Sequence, residues 1–320
     1  MMGIQLMLLA GLFVSISNYF MRKSVDSGGT TKGFIMVQLF VVFLVAILLN
    51  PVRMGDYQWS GCMSLFAIAG GVVLALMMAS LGRAVETGPA GLTFASFSAA
   101  TVMPSIVMVL VFGSFFGYAY TPWNGIGSIL VVLGLFWAGW QTTKSQKKNS
   151  WITFVSAAFF LHVLFLVFLS WKALFINYPG ENGLFLSFDM DDAKNQWFMP
   201  MIFLAASIIQ ALIFIVNEKR WLKKGEVLYG ILGGIANGVG TFFMIRATEV
   251  STKFEHAMIY PIFSVTIIVL CNIWGQWLYK EKVNWKAAAV CVLGVLIGTI
   301  SWGAIALMKE APRRLSVLPV

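Results

Sequence analysis

Charge is scarce in this chain. Asp, Glu, Lys and Arg make up only 11% of its 320 residues, while 59% are apolar and the mean hydropathy is +0.84. A soluble domain carries about 25% charged residues, so a soluble enzyme, a secreted module and a disordered chain are all excluded. Cysteine is rare as well: Cys62, Cys271 and Cys291 lie inside apolar runs with no CxxC and no paired spacing. Neither a disulfide framework nor a metal site is implied, and no cofactor is expected. A phosphate loop, HExxH, GxSxG and paired carboxylates are missing too, so ATP-driven pumping by this chain is excluded and the chain is read as not an enzyme. The net charge of +9 does not imply nucleic acid. Its Lys and Arg residues sit in short clusters between apolar runs, where membrane anchors belong.

What is present is a series of apolar runs. Charge-free stretches cover 1–21, 33–52, 57–82, 87–143, 149–171, 195–217, 227–245, 256–279 and 287–308. Eight have the length of one membrane-crossing helix. The fourth is long enough for two, and Gly113, Gly117, Thr121, Pro122 and Asn124 interrupt it where a turn is needed. The fold class is therefore an all-α polytopic membrane protein with ten transmembrane helices, and the lipid bilayer is its first partner. A closed barrel is excluded, because its strands would alternate in runs of about ten residues. The first run lacks a basic leader and is long enough to span, so it reads as the first helix rather than as a cleaved signal. The longest connection is expected at about 172–196, around Asp189, Asp191 and Asp192.

Two halves echo each other. Arg83-Ala84-Val85-Glu86 ends the third helix and Arg246-Ala247-Thr248-Glu249 ends the eighth, an offset of 163 residues. Each Arg–Glu pair is spaced i,i+3 and shares one helix face. A proline follows in the next span of each half, Pro104 and Pro261. Residues 1–148 and 149–320 are read as two five-helix repeats. Five is odd, so they have opposite orientation, a recurring transporter design with binding near the repeat interface.

Gly88-Pro89-Ala90-Gly91-Leu92-Thr93-Phe94, Pro104, Phe116-Gly117-Tyr118-Ala119-Tyr120-Thr121-Pro122-Trp123, and then Gly127 and Gly134 resemble the drug/metabolite transporter superfamily, EamA-type. The second half repeats the pattern with Pro261, Glu281, Gly294 and Gly298. Tyr118 stands where that family's turn glutamate falls in the first half, and Gln276 or Glu281 takes the place in the second. The resemblance implies a cargo among amino acids and their derivatives, drugs, nucleotide sugars or nucleoside-type metabolites. It also implies a bacterial cell (inner) membrane location and both termini inside; a homodimer is one allowed assembly. Charge points the other way. With the N-terminus cytoplasmic, inside segments would hold eight of the 22 Lys and Arg residues and outside segments fourteen, so the positive-inside rule favours both termini outside.

Polar residues inside spans are the candidate site, because they are costly in hydrocarbon without a partner. Asn18 and Tyr19 on the first helix, Ser98 before Pro104, His162 on the sixth, Asn237 within Gly230-xxx-Gly234-xxx-Gly238, and Tyr260 beside His256 and Pro261 are the expected substrate contacts. Arg83/Glu86 and Arg246/Glu249 are the expected gates, one in each half. Gln38 and Gln210 read as donors of interhelical hydrogen bonds, and the glycine ridge as a close helix crossing. Trp59, Trp123, Trp151, Trp197, Trp221 and Trp285 read as interfacial anchors by position. Secondary transport of a small-molecule metabolite by alternating access is the expected function. A lipid-modifying membrane enzyme, hinted at only by Asp189, Asp191 and Asp192, or an accessory subunit of a membrane complex are the alternatives.

Overall fold

The computed structural model describes residues 2–87, 90–113, 116, 120–139, 148–178, 184–252, 255–279 and 284–299. The chain forms α1 (Met2–Asp26), α2 (Thr31–Ile47), α3 (Gly61–Thr87), α4 (Ala90–Ala99), α5 (Met103–Phe112), α6 (Pro122–Gly139), α7 (Lys148–Asn177), a short α8 (Met190–Ala193), α9 (Phe198–Glu218), α10 (Lys224–Val250), α11 (Ile259–Tyr279) and α12 (Trp285–Thr299). No strand occurs among the described residues. Among the described residues, seven helices are long and apolar enough to cross a membrane: α1, α2 with its extension to Val52, α3, α7, α9, α10 and α11. Three further apolar stretches are shorter, Ser96–Phe112, Pro122–Trp137 and Trp285–Gly298. The protein is an all-α, multi-pass membrane protein.

Helix ends follow local chemistry. Gly113, at φ +72°, stops α5 in a conformation that glycine adopts without a steric penalty. Pro122 then opens α6 as its first residue, and Thr121 and Asn124 exchange reciprocal hydrogen bonds around it: Asn124 N–H to Thr121 Oγ1 at 3.2 Å and Thr121 N–H to Asn124 Oδ1 at 2.7 Å. These are the turn residues expected from the sequence. Between α4 and α5 a 3₁₀ turn, Ala100–Val102, precedes Pro104. Pro51 has no N–H to give, and α2 ends in a π turn over Leu48–Val52. The connection expected at 172–196 is shorter than that, because α7 continues through Lys172 to Asn177. The four residues after Lys172, Ala173 to Ile176, are apolar and largely buried, so the interior keeps the helix going.

The outer surface is oily, as a lipid-facing surface must be. Ile208, Leu212 and Ile215 form an exposed stripe on α9, while Ile202, Phe203, Ala206 and Phe214 on its other side are buried. Trp59, Trp123, Trp221 and Trp285 are exposed near helix ends, where their amphipathic rings suit the headgroup region. Trp151 and Trp197 instead give their indole N–H to Thr93 Oγ1 at 2.9 Å and to the Tyr57 carbonyl at 3.4 Å.

Inside, α1 packs on α10 and α11, α7 on α3 and on the α4–α5 rod, α10 and α3 on α2 and α9 respectively, and α6 on α12. Water is not available to drive helices together, so close fit and hydrogen bonds do it. The ridge of Gly230, Gly234 and Gly238 receives Val37, Val41 and Val45 of α2, one valine per glycine. Gln38 Nε2 donates to Ser17 Oγ at 2.7 Å, and Ser17 Oγ donates to the Gly233 carbonyl at 2.8 Å, which ties α2, α1 and α10 together. Gln210 Nε2 donates to the Ala75 carbonyl at 2.9 Å between α9 and α3. Both glutamines act as expected.

The start of α1 is pinned to the α10–α11 connection. Glu255 Oε1 accepts from the Ile4 N–H and Oε2 from the Thr252 N–H at 2.9 Å. Burial opposes ionisation there, but these hydrogen bonds outweigh it and hold the carboxyl below its usual 4.5. Its stabilisation is therefore complete above 4.5 and is lost as the pH falls below that value. A Glu255→Gln variant is expected to be less stable than the wild type at neutral pH and to lose less stability on acidification, which a melting-temperature series against pH will show.

Candidate functional site

The N-terminal face of the bundle brings together the start of α1, the π turn after α2, the ends of α7 and α10, and the starts of α3, α9 and α11. The last turn of α10 carries Arg246 and Glu249, and Lys172 approaches from α7. Glu249 Oε2 accepts from Arg246 Nη1 at 2.8 Å, and Glu249 Oε1 pairs with Lys172 Nζ. The Lys172 and Glu249 side chains are only 6% and 7% exposed. Lys172 Nζ also lies 5.2 Å from the centroid of the Phe198 ring, a favourable cation–π placement. The triad lines a cavity of about 260 Å³ between α2, α7, α9 and α10, with Asn50, Ile176, Lys194, Gln196, Met199 and Ile245 also among its walls. Arg246 and Glu249 are joined as the i,i+3 spacing predicts. Lys172, which completes the pair, was not among the expected residues.

A second polar group follows the interrupted α4–α5 rod. His162 Nδ1 lies 2.8 Å from the Phe97 carbonyl, and its ring stacks on Phe97 at 3.9 Å and 12°. A carbonyl only accepts, so Nδ1 carries the proton and Nε2 is left as an acceptor. The Ser98 carbonyl accepts from Thr101 Oγ1 at 2.7 Å and from Ser264 Oγ of α11 at 3.4 Å. Tyr260, almost fully buried, donates to the Leu166 carbonyl at 3.1 Å and lies 3.0 Å from Ser170 Oγ. His162, Ser98 and Tyr260 thus border one seam between α4, α7 and α11, and His162 and Tyr260 are engaged in bonds between helices. At its edge, Ser105 Oγ donates to the His256 carbonyl at 2.7 Å. Burial pushes the His256 imidazole down to about 4 against the pull of Glu255, so it is neutral at pH 7.

The other expected contacts lie apart from both groups. Asn18 reaches Cys271 Sγ at 3.9 Å across α1 and α11. Tyr19 lies 6.5 Å from the ring of Trp274, whose Nε1 is buried with no hydrogen-bond partner among the described residues. Asn237 is half-buried on α10 with no side-chain hydrogen bond among the described residues. Arg83 is exposed at the opposite end of α3. The Glu86 side chain lies outside the described residues, as do Tyr118 and Glu281. Asp189 and Asp191 are exposed around α8.

The opposite face carries a charged group that the sequence did not single out. Glu226, fully buried at the start of α10, accepts from Thr30 N–H and Lys223 N–H at 2.7 Å each, from Thr30 Oγ1 at 2.9 Å, and from Arg220 Nη2 and Nη1 at 2.7 and 2.9 Å. These bonds raise the Arg220 pKa further, so that end stays charged. Every donor comes from the protein itself, so this group clamps the α1–α2 and α9–α10 connections together and is full.

No protein-family model and no curated protein matches the chain. Among solved structures, one described only as the crystal structure of a protein superposes with a TM-score of 0.66 at 13% identity, covering 92% of this chain and 96% of that one. At that identity the likeness shows a shared fold and nothing of its chemistry.

Proposed function

We propose that the chain is a secondary carrier of the drug/metabolite transporter type, with ten spans in two inverted five-helix halves that move a small organic metabolite by alternating access. The observation that carries this reading is the buried Lys172–Glu249 pair, joined by the partly exposed Arg246, which together line the 260 Å³ cavity. Ionisable groups within membrane spans are expensive to hold there, and they mark pathways and switches. The triad lines the cavity at one face, while the Glu226 clamp ties the connections at the other.

The helix pairings support the two halves. With α4 and α5 counted as one rod and the short α8 left aside, the rods among the described residues number ten. Shifting each rod by five turns α1–α10 into α7–α3, α1–α11 into α7–α4/α5, α2–α10 into α9–α3, and α4–α6 into α11–α12. All of these pairs are in contact, and α2–α9 and α6–α12 map onto themselves. A two-fold relation between halves produces this correspondence. The cavity lies just below the roughly 300–1,000 Å³ typical of small-molecule sites, which favours amino-acid-sized cargo over nucleotide sugars.

Solute counterflow in proteoliposomes tests the reading. One compound from a labelled panel of amino acids, organic acids, nucleosides and sugars is expected to overshoot, and only when the same compound is loaded inside. A flat panel from folded protein would remove the carrier reading.

A further inference from the structure

The cavity at the N-terminal face has unbalanced charge. Lys172, Lys194 and Arg246 line it, and Glu249 is the one carboxylate among its described lining residues, an excess of two positive charges. Both oxygens of Glu249 are already engaged, Oε1 by Lys172 and Oε2 by Arg246. A cationic ligand would therefore meet three like charges and no open carboxylate. The cations, by contrast, have capacity left. Arg246 commits Nη1 to Glu249, its side chain is 35% exposed, and a guanidinium has five N–H donors set for planar anions. Lys194 stands exposed beside the cavity, in no ion pair among the described residues.

Apart from Asn50, Asn195 and Gln196, the remaining wall is apolar and includes Ile176, Phe198, Met199, Phe242 and Ile245. The geometry points to a binding site for a small organic anion, with its carboxylate between Arg246 and Lys194 and its apolar body against Phe198, Met199 and Phe242. Anion and wall divide the work. The charge selects the ligand, since hydrogen bonds to ionised groups are the strong ones, and the apolar wall holds the body by removing it from water. The inference rests on the carrier reading for the part this site plays in transport, while binding itself does not require transport.

Three probes of one size separate the possibilities: benzoate, benzamide and benzylamine, titrated into purified protein in detergent with the thermal unfolding midpoint as readout. Benzoate is expected to raise the midpoint saturably, and the neutral and cationic analogues at matched concentration are not. Lys194 is exposed, so Lys194→Gln folds as the wild type does, and it is expected to raise the half-saturating benzoate concentration about tenfold. Arg246→Gln is expected to raise it further. Higher salt is expected to weaken benzoate binding to the wild type. Equal shifts from all three probes would overturn the proposal, as would no saturable shift from benzoate or an unchanged benzoate titration in both variants. Benzoate-selective binding with a flat counterflow panel would keep the site and sink the carrier reading. Counterflow of a neutral or cationic solute by protein that ignores benzoate would do the reverse.

Discussion

Glu249→Gln is expected to destabilise the protein by about 3–5 kcal/mol, the usual loss when one partner of a buried ion pair is removed. Glu249 sits between Lys172 and Arg246, and its removal leaves two cations facing each other, with the Lys172 side chain only 6% exposed. Lys172→Met should be milder, because Glu249 keeps Arg246 at 2.8 Å and the methionine fits the apolar surroundings. The double variant Lys172→Met/Glu249→Gln should recover much of the loss, since no buried charge then lacks its counterpart. The fraction of protein that stays monodisperse after a heating series gives the order: wild type, Lys172→Met, double variant, Glu249→Gln. A Glu249→Gln variant as heat-resistant as the wild type would show that the triad contributes nothing to stability.

Gly127→Val is expected to separate α6 from α12 and to leave little folded protein. The two helices cross backbone to backbone. A Cβ at Gly127 would press on the Gly294 carbonyl and stand 2.8 Å from the Gly298 backbone, and one at Gly294 would stand 2.6 Å from the Gly127 carbonyl. Backbone cannot rotate away as a side chain can, so the helices must part. The loss should reach or exceed the upper end of the 1–3 kcal/mol range common for overpacked cores, about 3 kcal/mol. Gly125→Ala is the control on the same helix: its Cβ would meet only Tyr120 Cε1, at an ordinary 3.7 Å, and alanine favours the helix by about 1 kcal/mol. The yield of monodisperse protein after extraction separates the two. Equal yields would mean that the crossing tolerates a wider spacing.

Much of the fold was legible because hydrocarbon makes simple demands. Charge-free runs marked the helices, and the residues between Gly113 and Asn124 divided the longest run where α5 ends and α6 begins. The glycine ridge of α10 and the roles of Gln38 and Gln210 could be read for the same reason: small residues and lone polar groups in apolar helices have few uses other than contact. The site was harder. Lys172 ends a charge-free run and so looked like the first residue of a loop, although the apolar stretch from Ala173 to Ile176 carries the helix past it. Glu226 gave no signal of its own, because Thr30, which closes over it beside the nearby Arg220, lies 196 residues away in sequence. His162 and Tyr260 stood out as polar groups in oily helices, but the Phe97 and Leu166 carbonyls they bond belong to other helices, and helix pairing is not written in one-dimensional periodicity.

The partnership of α1 with α10 has a consequence for synthesis in the cell. α1 ends at Asp26 and α10 begins at Lys224, so roughly 200 residues must emerge between them. At ribosomal rates of about 5–20 residues per second that interval is about 10–40 s. Through it the Ser17 hydroxyl has no Gly233 carbonyl to reach, and the valines of α2 have no glycine ridge to fill. The first helices of the nascent chain therefore wait in the bilayer with their inward faces uncovered, open to translocon, chaperone or quality-control protease, until the eighth rod arrives to cover them.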